Sequence, residues 1–202
     1  HHPSGLAEHS AHDIFLQILN GVYYIHSRGV CHHDISTDNV MLDEDENWVI
    51  IDFGMCLRIP YSYPDDPSGY TDDVTDITLG TNRRLIHSQN HCGKFHFMAP
   101  EIYNREVGFD GFASDVWSFG VVLFVLLVGR QPYERPDKKD PGYHDLIDPH
   151  FYWSGDIDPC LSWGHALSQT AVDLLRRIMC PDPRDRATLG WILKHKWVNS
   201  KH

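Results

Sequence analysis

Two short motifs that flank residues 40–51 constrain the fold of this 202-residue chain more than any other feature. The first, residues 32–39, reads H-H-D-I-S-T-D-N and contains Asp34 and Asn39. The second, residues 52–54, reads D-F-G and directly follows the β-branched run 49–51, which predicts a buried strand that delivers Asp52 to a cleft. Carboxylate and amide oxygens are suitable ligands for Mg²⁺, and a further carboxylate can act as a general base. The two motifs therefore supply one candidate base and two candidate magnesium ligands.

Further motifs follow in a fixed order. Residues 98–101 read M-A-P-E, and residues 114–120 read S-D-V-W-S-F-G at the start of a long apolar run. Together with the first two motifs, this order resembles the catalytic loop, D-F-G, A-P-E and central helix of the C-terminal lobe of eukaryotic-type protein kinases. The resemblance covers residues from about 11 to about 198.

The resemblance implies an α+β fold that is mainly helical, the large C-terminal lobe of a protein kinase. It implies that the domain occupies residues 1–202, with the β-rich N-terminal lobe absent from them. The implied parts are a catalytic loop at 32–39, an activation segment at 52–101, a central helix at about 114–128 and C-terminal helices at about 168–198.

The resemblance also implies roles for individual residues. Asp34 would act as catalytic base, while Asn39 and Asp52 would hold Mg²⁺. Asn39, Asp52 and Met41 would contact ATP. Structural roles fall to His32, Phe53, Gly54, Glu101, Asp115 and Arg186.

For two of these structural roles the resemblance implies specific contacts. Asp115 is expected to hold the backbone of the catalytic loop and so to position Asp34 without touching the substrate. Glu101 and Arg186 are expected to form a buried ion pair, because both fall at matching family positions.

The chain departs from the family pattern beside the catalytic aspartate. The usual lysine two residues after it is Ser36, and the usual G-T-x-x-Y before A-P-E is G-K-F-H-F at residues 93–97. A hydroxyl and an ammonium have thus exchanged places, at positions that face each other in the family fold. We expect Lys94 to reach across and to act as a catalytic residue that supplies the missing cation. The alternative is that the site has lost its cation and is slow or inactive.

A second departure is His33, which stands where the family has an arginine that receives a phosphorylated activation segment. A mostly neutral imidazole binds phosphate poorly compared with a planar guanidinium. Activation is therefore expected not to depend strongly on phosphate docking at His33. The segment 52–101 is about twice the usual family length and is either functional or a solvated insert.

The function implied is that of a protein kinase, which transfers the ATP γ-phosphate to a serine or threonine hydroxyl of a protein substrate. Gly93 and Phe97 favour this class over tyrosine kinases. No G-x-G-x-x-G loop and no V-A-I-K-like strand occur in these residues, so an N-terminal lobe is expected upstream and the isolated fragment is expected to be inactive. The alternatives are a non-catalytic pseudokinase or scaffold, or a truncated kinase fragment.

The charge and composition of the chain limit the classes of partner that it is expected to bind. The formal net charge of −11 argues against nucleic-acid and anionic-membrane surfaces. The apolar run 116–128 is too short for a membrane span. Five scattered cysteines suggest no disulfide framework, which favours a reducing, cytoplasmic location.

Overall fold

The computed structural model describes residues 5–59, 61–62, 74–76, 81–83, 85–86, 93–106, 108–148 and 167–200. The helices are α1 (Glu8–His26), α2 (Pro100–Tyr103), α3 (Gly111–Val128), α4 (Pro141–Ile147), α5 (Gln169–Ile178) and α6 (Leu189–Ile192). The strands are β1 (Val30–Cys31), β2 (Val40–Leu42), β3 (Trp48–Ile50), β4 (Leu57–Arg58), β5 (Tyr61–Ser62), β6 (Val74–Asp76) and β7 (Thr81–Arg83). Helices dominate and the strands are short, which confirms the predicted α+β, mainly helical fold.

Helix α3 is the centre of the core because it is apolar on nearly every side. The Asp110 carboxylate caps its start by accepting from the Phe112 amide, and Gly129 ends it with a left-handed φ of 80°. Helices α1 and α5 pack against it. The ring of Phe119 stacks on Phe15 of α1, with centroids 4.3 Å apart. A β-carbon at Gly120 would collide with Ile178, so the glycine lets α5 approach closely.

The observed α3 is longer than predicted, since it begins at Gly111 and not at about residue 114. Its 18 residues are long and apolar enough to cross a bilayer, so the argument from length does not hold. Burial decides the question instead, because 83% of the helix lies inside the fold. It is the core helix of the domain.

Helix α1 begins at Glu8 and ends at His26. Gly29, three residues after its end, adopts a left-handed φ of 70°. The chain then enters β1, which pairs antiparallel with β4.

Strands β2 and β3 form an antiparallel hairpin in which Val40 lies opposite Ile50. The predicted strand 49–51 is displaced by one residue, and β3 is half-buried rather than buried. Within the activation segment, β5, β7 and β6 form a three-stranded antiparallel sheet. The sequence did not predict it, because residues 55–97 show almost no periodicity. Residues 60, 63–73, 77–80, 84 and 87–92 of this segment lie outside the described residues.

Side-chain hydroxyls cap the last two helices, α5 and α6. The Ser168 hydroxyl accepts from the Ala171 amide, and the Thr188 hydroxyl accepts from the Trp191 amide. Helix α6 ends at Ile192, so the expected helical stretch to about residue 198 is instead a series of turns. Trp197 is nonetheless fully buried and closes the core from this side.

Candidate active site

The β2–β3 hairpin brings Asn39 and Asp52 to the same end of the lobe. Asn39 directly precedes β2, and its carbonyl accepts from the Ile51 amide at 2.9 Å. Asp52 is the next residue, so the pairing of β2 with β3 brings its backbone close to that of Asn39. Strand pairing therefore places the two predicted magnesium ligands at the same end of the hairpin.

Asp34 and Asn39 are joined directly. The Asn39 amide nitrogen donates to Asp34 Oδ2 at 2.9 Å and to the Asp34 carbonyl at 2.8 Å. Asp34 Oδ1 is buried and has no hydrogen-bond partner in the described part of the chain. One carboxylate oxygen is thus held in place while the other stays available to accept a proton.

Gly93 lies against this available oxygen. A β-carbon on Gly93 would be 3.2 Å from Asp34 Oδ1, and its φ of 89° is in the left-handed region that favours glycine. The glycine therefore leaves space beside Asp34 and lets the activation segment pass close to it.

Lys94 reaches the catalytic loop. Its Nζ donates to Ser36 Oγ at 2.9 Å and lies 3.2 Å from Asp38 Oδ2. The Lys94 side chain is 38% exposed, so the ammonium is at the surface of the site. The structure brings together the exchanged hydroxyl and ammonium, two residues along the loop from Asp34.

Asp52 itself adopts a left-handed conformation, with φ 59° and ψ 73°. Its Oδ1 accepts from the Gly54 amide at 3.2 Å, and the residue is exposed. The Phe53 ring is half-exposed, with its centroid 5.1 Å from that of His32. Met41 on β2 is also half-exposed. An exposed carboxylate thus stands beside accessible apolar side chains.

The donor chemistry of Asn39 and Asp52 fits a magnesium ion. Mg²⁺ takes oxygen ligands, and only one or two of them usually come from the protein. Asn39 and Asp52 offer two such oxygen donors, which suits a hard cation that completes its coordination with other oxygen ligands.

Asp115 of α3 accepts hydrogen bonds from the backbone of residues 32 and 33. Its Oδ2 accepts from the His32 amide at 2.7 Å and its Oδ1 from the His33 amide at 2.8 Å. His26 at the end of α1 adds a third contact, with Nε2 2.9 Å from Asp115 Oδ2. His26 is buried and its ring stacks on Phe112. This role could not be predicted from the motifs, because His26 belongs to none of them.

His32 is completely buried, and its Nε2 lies 3.0 Å from the Ile51 carbonyl. It thereby ties the catalytic loop to the strand that leads to Asp52. The predicted structural role is consistent with this placement.

His33 faces the core rather than a phosphate site. It has a left-handed φ of 66°, and its ring stacks on Phe109 with centroids 5.2 Å apart. Burial lowers the pKa of His33, although the carboxylates of Asp115 and Asp34 oppose this effect. The backbone of Phe109 pairs in turn with Ile86 of the activation segment. The imidazole therefore forms part of an apolar anchor for that segment.

Glu101 and Arg186 form a buried ion pair. Arg186 Nη1 and Nη2 donate to the two Glu101 carboxylate oxygens at 2.7 and 2.9 Å. The remaining donors reach carbonyls of Cys180, Pro181 and Ala113. Because every charge is paired and hydrogen-bonded, the pair is compatible with burial. It fixes the A-P-E motif to the C-terminal part of the lobe.

Comparison with known proteins agrees with this geometry. The family model described as the protein kinase domain matches residues 2–198. The chain is 36% identical over 195 residues to CBL-interacting protein kinase 25 of Oryza sativa subsp. japonica, covering 96% of this chain and 32% of the relative. It is 35% identical to serine/threonine-protein kinase CHK1 of Mycosarcoma maydis, covering 96% of this chain and 25% of the relative. It is also 35% identical to serine/threonine-protein kinase GIN4 of Saccharomyces cerevisiae, covering 94% and 14%. The chain thus spans a third or less of these three relatives, and it belongs to the protein kinase family.

Proposed function

We propose that this chain supplies the catalytic lobe of a protein kinase that transfers the γ-phosphate of ATP to a serine or threonine hydroxyl of a protein. The main support for this proposal is the hydrogen bonding of the two Asp34 carboxylate oxygens. One of its oxygens is fixed by Asn39, whereas the other is buried and unpaired among the described residues. A purely structural aspartate would be expected to have both oxygens satisfied.

Asp34 is the proposed base. Its free Oδ1 faces the space beside Gly93, where a substrate hydroxyl could donate to it. The Asn39 amide restricts the carboxylate to one orientation, so the hydroxyl would be held in line for attack.

Asn39 and Asp52 are the proposed magnesium ligands, and Met41 is proposed to contact the nucleotide. The bound ion would neutralise charge on the transferred phosphoryl group. The hairpin register supports this assignment, because it holds both ligands at one end of β2 and β3.

Lys94 is the proposed cation for the developing phosphoryl charge. Its hydrogen bond to Ser36 places an ammonium on the loop position where the family has a lysine. This contact supports compensation over the alternative that the site lacks a cation.

The parent protein is proposed to complete the nucleotide site. These 202 residues contain no glycine-rich loop and no strand lysine, both of which a kinase needs. We place these elements in an N-terminal lobe upstream.

We also propose a reducing, cytoplasmic location. Cys31, Cys56 and Cys180, the cysteines within the described residues, are free thiols. The serine/threonine class rests on the names of the relatives.

The direct test is phosphoryl transfer by the full-length protein with a labelled γ-phosphate and a mixed peptide library. Asp52→Asn should lower transfer at least about a hundredfold and weaken Mg²⁺-dependent nucleotide binding. Asp45→Asn, an exposed aspartate in the turn of the same hairpin, is the matched control and should behave as wild type. Nucleotide binding that does not depend on Mg²⁺, together with no phosphoryl transfer by the wild type, would favour the scaffold alternative.

A further inference from the structure

We propose that His33 is a positioning residue for the base, and that it acts through a single water molecule held between His33 Nδ1 and Asp34 Oδ1. This inference rests on the proposed kinase function and adds a residue and a solvent site to it. Position 33 is one of the places where the chain departs from the family pattern, so the inference concerns this chain and not its family.

Two buried polar atoms on neighbouring residues lack a protein partner. His33 Nδ1 and Asp34 Oδ1 are both buried, and neither has a hydrogen-bond partner in the part of the chain that the structure describes. The whole His33 residue is only 8% exposed. A buried polar atom without a partner costs free energy, and ordered water is a common partner where the protein supplies none. The two atoms therefore point to a shared bound water.

The two residues line the same cavity, which we call the His33–Asp34 cavity. Gly93 of the activation segment and Ser114 of α3 also line it. A volume of about 10 Å³ is open there to the centre of a water molecule, which corresponds to room for one water. A buried water needs about two to four polar partners, and the two unpaired atoms supply two of them.

Both residues are fixed from other sides, so the cavity between them has a defined shape. The His33 amide donates to Asp115 Oδ1 at 2.8 Å, and the imidazole stacks on Phe109 with an angle of 10° between the ring planes. Asp34 Oδ2 accepts from the Asn39 amide nitrogen at 2.9 Å. A water in the cavity would fix Oδ1 as Asn39 fixes Oδ2, so the carboxylate would be oriented through both oxygens.

The chemistry of a neutral imidazole suits this role. Burial lowers the pKa of His33, so the ring is neutral near pH 7. In a neutral ring Nδ1 is either a donor or an acceptor, and water can satisfy it in both forms while it donates to Asp34 Oδ1. A carboxylate oxygen has two lone pairs, so Oδ1 can accept from this water and from a substrate hydroxyl together. His33 thus orients the base without touching the substrate.

A high-resolution crystal structure of the full-length protein tests the solvent site directly. One water should lie within about 3.2 Å of both His33 Nδ1 and Asp34 Oδ1. The same water should be lost in crystals of His33→Phe, because a phenyl ring offers it no polar atom. Wild-type electron density without a water between these two atoms would overturn the proposal.

Two substitutions separate the hydrogen bond of His33 from its ring stacking. Asparagine tolerates the left-handed φ and offers both a donor and an acceptor, whereas phenylalanine keeps a ring that can stack on Phe109. We expect His33→Asn to retain kcat within about twofold, and His33→Phe to lower it about three- to tenfold, the effect of one lost hydrogen bond. KM for ATP and for peptide should stay within about twofold in both variants, since His33 touches neither ligand. The opposite order, with kcat retained by His33→Phe and lowered by His33→Asn, would overturn the proposal.

His12 on α1 provides the matched control. It is 5% exposed, and its ring meets that of Trp197 edge to face, with centroids 4.9 Å apart. His12→Phe and His12→Asn should give the same kcat per folded molecule. A loss for His12→Phe alone that equals the loss for His33→Phe would overturn the specific role of His33.

The failure of this inference is distinguishable from the failure of the proposed function. Phosphoryl transfer by the wild type with no water in the cavity would overturn the role of His33 and leave the kinase intact. Absence of transfer by the wild type would overturn the proposed function and the positioning role with it. The crystal structure decides the solvent site in either case, including the case in which a variant fails to fold.

Discussion

At the scale of the residue, the exchange between Ser36 and Lys94 shows how a local rule can be broken and compensated. The loop lacks the usual lysine, but an ammonium from 58 positions away is 2.9 Å from the Ser36 hydroxyl. Its charge is shared with Asp38, which restrains it near the loop. The cation thus comes from a second segment of the chain, so it cannot be predicted from the catalytic-loop motif alone.

The exchange can be reversed experimentally. We predict that Lys94→Ala lowers kcat of the full-length protein by about ten- to a hundredfold, because a cation at the developing charge is lost. The double variant Ser36→Lys with Lys94→Ser should recover most of that loss. Steady-state kinetics with one peptide substrate measure both effects. An unchanged kcat for Lys94→Ala would show that this ammonium has no part in transfer.

His33 gives a prediction about pH. Burial lowers its pKa, so the folded protein binds this proton less tightly than the unfolded chain does. Neutral His33 therefore contributes stability at neutral pH, and this stability is lost as the pH falls below the ordinary histidine pKa of about 6.5. His33→Asn, which tolerates the left-handed φ, should show a smaller loss of Tm between pH 7 and pH 5.

The control for this prediction is His9→Asn, because His9 is an exposed histidine on α1. It should keep the wild-type dependence of Tm on pH. If His33→Asn follows the wild-type curve throughout the range, the burial of a neutral imidazole does not govern acid stability.

At the scale of the element, α3 organises the site although it contributes no reacting group. Asp115 near its start accepts from two catalytic-loop amides, and the body of the helix fills the core. Its residues are apolar on nearly every side, which agrees with its burial in the core. The capping carboxylate of Asp110 set the start earlier than the apolar run indicated. Hydrophobic pattern alone does not register such caps, so the boundary was misplaced by three residues.

Helix α2 is fixed to the rest of the lobe by the Glu101–Arg186 pair. We predict that Arg186→Ala destabilises the fold by about 3–5 kcal/mol, because it leaves the Glu101 carboxylate buried and uncompensated. Urea unfolding followed by tryptophan fluorescence measures the loss.

Arg184→Ala is the matched control for this prediction. Arg184 pairs with Asp182 two residues away, but its side chain is 86% exposed. An exposed pair is screened by solvent and contributes little to stability, so this variant should unfold close to wild type. Equal effects of the two substitutions would contradict the assigned importance of burial.

At the scale of the whole molecule, the site is assembled from four separate parts of the chain. These parts are the catalytic loop, the β2–β3 hairpin, the end of the activation segment and α3. Their order in the sequence predicted the family and the helical lobe, because each motif carries a fixed chemical requirement. The contacts of His26 and the stacking of His33 on Phe109 could not be predicted, since they depend on which elements meet in space. The β5–β7–β6 sheet was missed for a different reason, as its strands are two or three residues long and carry no alternating pattern.

Asp34 is the proposed catalytic base, and the full-length protein is proposed to complete the magnesium–nucleotide site around it. The most direct measurement compares phosphoryl transfer and Mg²⁺-ATP affinity for full-length wild type and Asp34→Asn. We predict a loss of transfer of about 10²- to 10⁴-fold, with a nucleotide Kd that stays within about twofold of wild type. Undiminished transfer by Asp34→Asn would contradict the assignment of Asp34 as the base, because its carboxylate would then have no role in the reaction.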